Sequence, residues 1–190
     1  MSPYPAQVTR ERIIDTAWEL VEEEGGIDNV PLSRLAKMLG IKAPSLYRHV
    51  KNKADLLRGI NEHTINLLFD ALNDVLKATD GDATTRLLAI ARGYRQFALA
   101  HPVTYTLAYS TADPDSRPDV DFRMEDVLTM QSLLAQLSGD DDSLTALRGL
   151  LALMHGFAML EINTQLRRGG DLEATYIKSV EVYLRGWQYG

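Results

Sequence analysis

No cysteine occurs among the 190 residues. Disulfides, thiol catalysis and cysteine-held metals are therefore excluded, and a reducing compartment is compatible. Strand signals are almost absent as well. Met1 to Gln7 is polar and proline-containing with no apolar core after it, so no signal peptide is expected. The longest nearly apolar run, Gly149 to Leu160, carries His155 and is too short to span a bilayer. GxSxG, P-loop, HExxH and dinucleotide fingerprints are all missing. The histidines (His49, His63, His101, His155) are scattered, and His49 has no second metal ligand at helical spacing. The aspartates between Thr111 and Pro118 lack the spacing and glycine of a calcium loop. The expectation is a soluble cytoplasmic protein that is not an enzyme, with no catalytic residue, metal, cofactor or membrane partner.

What the chain does have is helical spacing throughout and 45% apolar residues, enough for a real core in one large or two small domains. The rest is organised around Leu32 to Leu57, LSRLAKMLGIKAPSLYRHVKNKADLL. Leu35, Ala36 and Leu39 mark one face of a helix. Gly40 follows, where the chain must reverse and a left-handed backbone is cheapest. Ile41 can plug the angle between two crossing helices. Leu46 and Val50 give the second helix its buried face, leaving Lys42, Ser45, Arg48 and His49 outside. This is a helix-turn-helix, which holds one helix against the major groove of DNA.

The charge agrees. From Arg34 to Arg58 there are seven bases and one acid, Asp55, in a chain whose net charge is −6. A local basic patch on an acidic protein is what phosphate contact requires. The stretch resembles the DNA-binding domain of the tetracycline-repressor (TetR) family. The matching residues are Leu35-Ala36, Leu39-Gly40-Ile41, Pro44-Ser45-Leu46-Tyr47, His49-Val50, and Lys51-Asn52-Lys53 followed by Leu56-Leu57. The likeness covers about the first third of the chain.

Residues 1–8 are expected as a loose arm. Thr9 caps a first helix with the inner stripe Ile13, Ala17, Leu20 and Val21, ended by Gly25-Gly26. Glu22 to Glu24 read as a solvated face. Arg10 and Arg12 stand near the helix start, within reach of a phosphate or the minor groove. A second helix runs from about Leu32 to Leu39. The family usually has Thr or Ser where Pro31 stands, so Ser33 and Arg34 are the substitutes for that phosphate contact. The recognition helix spans about Ala43 to His49, with Pro44 in its first turn. Arg48 is the best base reader, because its fork can take guanine O6 and N7 together. Lys42 can meet a phosphate or a guanine. Ser45, Tyr47 and His49 bind backbone phosphates, or Tyr47 packs inside the domain instead. Asn52 caps a fourth helix, where Lys53 attracts phosphate. The expected DNA-contact set is Ser33, Arg34, Lys42, Ala43, Pro44, Ser45, Tyr47, Arg48, His49 and Lys53.

The fold expected is all-α, with about nine helices. A three-helix head (1–53) is linked by helix 4, from residue 52, to a larger helical body (54–190) for ligand binding and dimerisation. The body's helices are expected near Leu87–Ala98, Val103–Tyr109, Phe122–Leu137, Ser143–Arg167 and Leu172–Trp187. The last two read as a hairpin that either is buried inside a monomer or meets its twin in a two-fold dimer, as in the family. The interface set is Gly149, Ala152, Gly156, Ile177, Val180, Leu184 and Trp187. Ala152 to Glu161, with Ala100-His101-Pro102, is similar to the "WHG" type of TetR-family body, although helix 8 lacks that tryptophan. The resemblance also implies a pocket for an unidentified small molecule. Its candidates are Tyr94, Phe97, Tyr105, Tyr109, Met130, Met154, His155 and Met159, each of which can equally be plain core.

Together these imply a dimeric transcriptional regulator, most often a repressor, that holds an inverted-repeat operator and releases it when a ligand binds. The alternatives are a helical adaptor that kept the fold without operator binding, and a protein that converts its ligand.

Overall fold

The computed structural model describes residues 8–110, 113–119 and 121–188. Among them there is no strand, and helix makes up 77%. The order is α1 (Arg10–Glu24), a 3-10 turn (Ile27–Asn29), α2 (Leu32–Met38), α3 (Ala43–Leu46), α4 (Lys53–Ala78), α5 (Ala83–Ala100), α6 (Pro102–Ser110), a 3-10 turn (Pro114–Ser116), α7 (Met124–Ser138), α8 (Ser143–Ile162) and α9 (Leu172–Gln188). The arm expected at residues 1–8 falls, but for Val8, outside the described residues.

Packing divides the chain into two units, Met1–Asn66 with His101–Asp119, and Leu67–Ala100 with Val120–Gly190. This differs from a boundary at residue 53, which follows the motif alone. The first unit is built on Ile13, Ala17, Leu20, Leu35, Leu46, Leu56 and Ile60, with Val103 and Leu107 of α6 packed against them. The caps fall where the sequence places them. Thr9 accepts from the Arg12 amide at 3.2 Å. Gly25 ends α1 in the left-handed region at φ 74°, and Asn52 accepts from the Asp55 amide at 2.8 Å. Glu22, by contrast, is no solvated face. Its carboxylate accepts from the Val103 amide (3.2 Å), the Thr104 amide (2.9 Å) and the Thr104 hydroxyl (2.8 Å). It thus caps the start of α6, where orphan amides and the helix dipole favour an anion.

In the second unit α5 packs against α7, α8 and α9, and α8 against α7 and α9. α8 is itself 20 residues long and largely apolar, longer than the Gly149–Leu160 run suggests and enough by length and composition to cross a bilayer. Its packing on three helices of its own unit buries one part of that apolar surface, and Leu144, Leu151 and Leu160 stay exposed. The helix ends at Ile162, not Arg167. Thr164 turns left-handed at φ 53°, and the Gln165 amide closes back on the Leu160 carbonyl at 2.8 Å. That closure usually falls to glycine, and a β-branched residue there is strained. Thr164→Gly is expected to stabilise the fold by about 0.5–1 kcal/mol, the left-handed cost less the added chain entropy. A urea midpoint unchanged or lowered would contradict this.

Candidate nucleic-acid interface

The turn between α2 and α3 has the geometry its sequence demands. Gly40 sits at φ 68°, and the Ile41 amide reaches back to the Ala36 carbonyl at 3.0 Å. Leu46 and Val50 are buried at 1% and 3% exposure, so they lock α3 onto the core. The opposite side of this segment then faces outward: Lys42, Pro44, Tyr47 and Arg48 are exposed, while Ala43, Ser45 and His49 are half-buried. Tyr47 is 55% exposed, which removes the alternative that it packs inside. The helical part is shorter than Ala43–His49. After Leu46 the chain tightens into a turn, with the His49 amide on the Leu46 carbonyl at 2.9 Å. Arg48 keeps its outward direction because a tight turn of this kind has nearly the helical period.

The bases divide into two groups. Lys37, Lys42, Arg48 and Lys51 have no carboxylate partner among the described residues. Three others are engaged. Arg34 pairs with Glu24, Lys53 Nζ lies 2.5 Å from Asp28, and Arg58 lies 3.3 Å from Asp55. Arg10, read as a phosphate contact, instead meets Asp55 at 3.0 Å. Burial alone would raise the Asp55 carboxyl. The Lys51 amide and the guanidinium groups of Arg10 and Arg58 outweigh it and hold the group below the usual carboxylate range. Asp55 thereby ties the start of α1 to the start of α4. A depressed carboxylate contributes stability above its unfolded pKa and loses it as pH falls through the folded value. Ser33 is exposed in the first turn of α2, on the same short segment as Arg34.

The body candidates are placed less uniformly. Tyr94 and Phe97 (α5), Met130 (α7), and Met154, His155 and Met159 (α8) belong to the second unit, whereas Tyr105 and Tyr109 belong to α6 in the first. Tyr94, Phe97, Tyr105 and Met154 are buried, and Tyr109 is exposed. Met130, His155 and Met159 are half-buried, and burial pushes the His155 imidazole pKa down. Of the interface set, Ile177, Val180 and Leu184 are buried within the chain's own unit. A Cβ on Gly149 would meet the Tyr183 hydroxyl at 2.2 Å, so the close approach that glycine allows is made inside the hairpin. That hydroxyl donates to the Ala146 carbonyl at 2.8 Å. Trp187 is half-buried, edge-on to Tyr183. Ala152 of the same set is exposed, beside Leu151 and Leu160 on α8, and Ala174, Lys178 and Val182 are exposed on α9. Gly156 has open space around it. The α9 face carries an open groove of about 760 Å³.

A short outward helix locked on a helical core and flanked by bases defines a helix-turn-helix DNA-binding protein. Family models agree. Residues 13–60 match the tetR family of bacterial regulatory proteins, and residues 87–183 match a tetracyclin repressor-like C-terminal domain. The chain belongs to the TetR family of transcriptional regulators. Among its relatives is the uncharacterized HTH-type regulator Rv0681 of Mycobacterium tuberculosis, 32% identical over 162 residues, covering 83% of this chain and 72% of that protein. Another is YobS of Bacillus subtilis, also an uncharacterized HTH-type regulator, 26% identical over 179 residues, or 94% and 92% of the two chains. A Rhodococcus protein of unknown function has the same fold, with TM-score 0.80, 23% identity and 98% of each chain covered. So does a TetR variant of Acinetobacter baumannii in complex with minocycline, with TM-score 0.72, 21% identity and 96% and 97% covered.

Proposed function

We propose that the protein is a homodimeric repressor that grips an inverted-repeat operator and lets it go when a small molecule binds its second unit. One observation carries the DNA reading. Lys42 and Arg48 stand exposed on the outward face of a core-locked helix-turn-helix, with no acid paired to either among the described residues. Arg48 reads a base, while Ser45, Tyr47, His49 and Lys53 hold phosphates and fix register. Two heads are needed because such proteins read half-sites about 34 Å apart. The dimer face in this reading is the open one, Leu151, Ala152, Gly156 and Val182, rather than the buried stripe of α9. Support for a ligand is twofold. The solved Acinetobacter relative holds minocycline, and α8 carries a half-buried histidine amid apolar residues. Binding of a ligand to one of two body conformations would shift the head spacing and lower operator affinity.

The test is footprinting on the DNA that flanks the protein's own gene. Protection of an inverted repeat with half-site centres about one helical turn apart, or a multiple of it, is expected. Binding with no preference for any segment would reject the operator reading.

A further inference from the structure

Two acids, Glu24 at the end of α1 and Asp28 in the 3-10 turn that follows, each hold a base on a different flank of the recognition helix. Arg34, in the first turn of α2, pairs with Glu24. Lys53, the first residue of α4, pairs with Asp28 at 2.5 Å. The link between the two acids is fixed. Gly25 and Gly26 take φ of 74° and 148°, the Asn29 amide bonds the Gly26 carbonyl at 3.2 Å, and the Asn29 side chain donates to the Glu24 carbonyl at 2.8 Å. Lys42 and Arg48, on either side of α3, have no such partner among the described residues.

We infer that Glu24 and Asp28 are built-in competitors of DNA phosphate, which set how tightly the head holds any duplex. The inference rests on the DNA-contact reading above. Both pairs are solvated: the Lys53 and Asp28 side chains are 59% and 88% exposed, and those of Arg34 and Glu24 46% and 32%. Exposed pairs are weak enough to be broken by a better acceptor. A phosphate on a polyanion is that acceptor, because its capture also releases condensed counterions. Each base must leave its carboxylate to reach DNA, and the freed carboxylate then recruits a cation from solution. The acids therefore weaken the sequence-blind flanking contacts and blunt their salt dependence, without touching the base readers.

The experiment measures binding of the full chain to a mixed-sequence duplex across a salt series, using Asp28→Asn, Glu24→Gln, the double variant and the unaltered protein. Each single change is expected to tighten binding about threefold per head. The salt slope should steepen with each pair removed, by less than the ~0.9 of a whole phosphate contact. The control is Glu23→Gln, which removes a charge next door from an exposed residue holding no base among the described residues. Circular dichroism should show all variants folded, since the pairs lie at the surface. Unchanged or weaker binding by folded D28N and E24Q overturns the inference and leaves the DNA reading standing. An equal gain from E23Q also overturns it, since net charge alone would then suffice. Failure of the unaltered chain to bind the duplex overturns both.

Discussion

Raising salt from about 50 to about 200 mM will weaken operator binding by ~10³–10⁵-fold, if the dimer neutralises about 6–10 phosphates. The estimate follows from the outward face of the head. In the proposed dimer Arg34, Lys42 and Lys53 recur on each of two heads, and each phosphate they neutralise releases counterions. Against that background, Arg48→Ala and Lys53→Ala should separate. Arg48 is exposed on the reading face, and a bidentate guanine contact is worth ~1–3 kcal/mol of discrimination. Its loss should bring operator and mixed-sequence affinities together by roughly tenfold or more per head. Lys53 stands at the start of α4, and its loss should weaken binding to all sequences alike and flatten the salt slope by about 1 per head. Equal effects of the two variants on both kinds of DNA would reject the division between reading and positioning.

Glu161→Ala will destabilise the protein by about 3 kcal/mol, roughly 150-fold in the folding equilibrium. Glu161 takes the Arg95 guanidinium in a two-pronged contact, with Nε at 2.8 Å and Nη2 at 2.6 Å. The two side chains are 14% and 12% exposed, so the pair is largely removed from water. Arg95 also lies 6.0 Å above the Tyr176 ring, whose hydroxyl donates to the Ala91 carbonyl. Truncating Glu161 strands a buried guanidinium. Glu173, 3.9 Å from Arg95 and half-exposed, can recover only part of the loss. That places the cost at the low end of the range for buried pairs. The melting temperature should fall by about 6–12 °C. The double change Arg95→Met with Glu161→Leu should return most of the stability, because two apolar groups leave no charge stranded. If the single and double variants melt together, the penalty lies in packing and not in the orphaned charge.

The parts of the fold that the sequence made legible are those set by neighbours along the chain. Thr9, Gly25, Gly40 and Asn52 act through residues a few positions away, and the stripes of α1 and α9 follow from helical period alone. Partners far along the chain carried no signal. Glu22 sits in an acidic run of ordinary appearance, yet it meets Val103 and Thr104, some 80 residues on. Arg10 looked free for DNA because Asp55 lies 45 residues away. The early end of α8 was hidden because Thr164, not a glycine, takes the left-handed turn, while Gly169-Gly170 offered a more obvious stop. In the hairpin the period of Ile177, Val180 and Leu184 was right, but period does not say whether a buried stripe meets its own chain or another. The recognition surface was the most legible part of the site. Its inner and outer residues are fixed by Leu46 and Val50, whose burial leaves Arg48 nowhere else to point.

The carboxylate of Glu22 makes the head a product of two distant stretches of chain. A fragment that stopped at Asn66 would keep the whole motif and still be incomplete. It would lose Val103 and Leu107 from its core and leave Glu22 without the amides it holds. The reading head is therefore not a detachable module, and any force that slides α6 along its axis is felt at the last turn of α1.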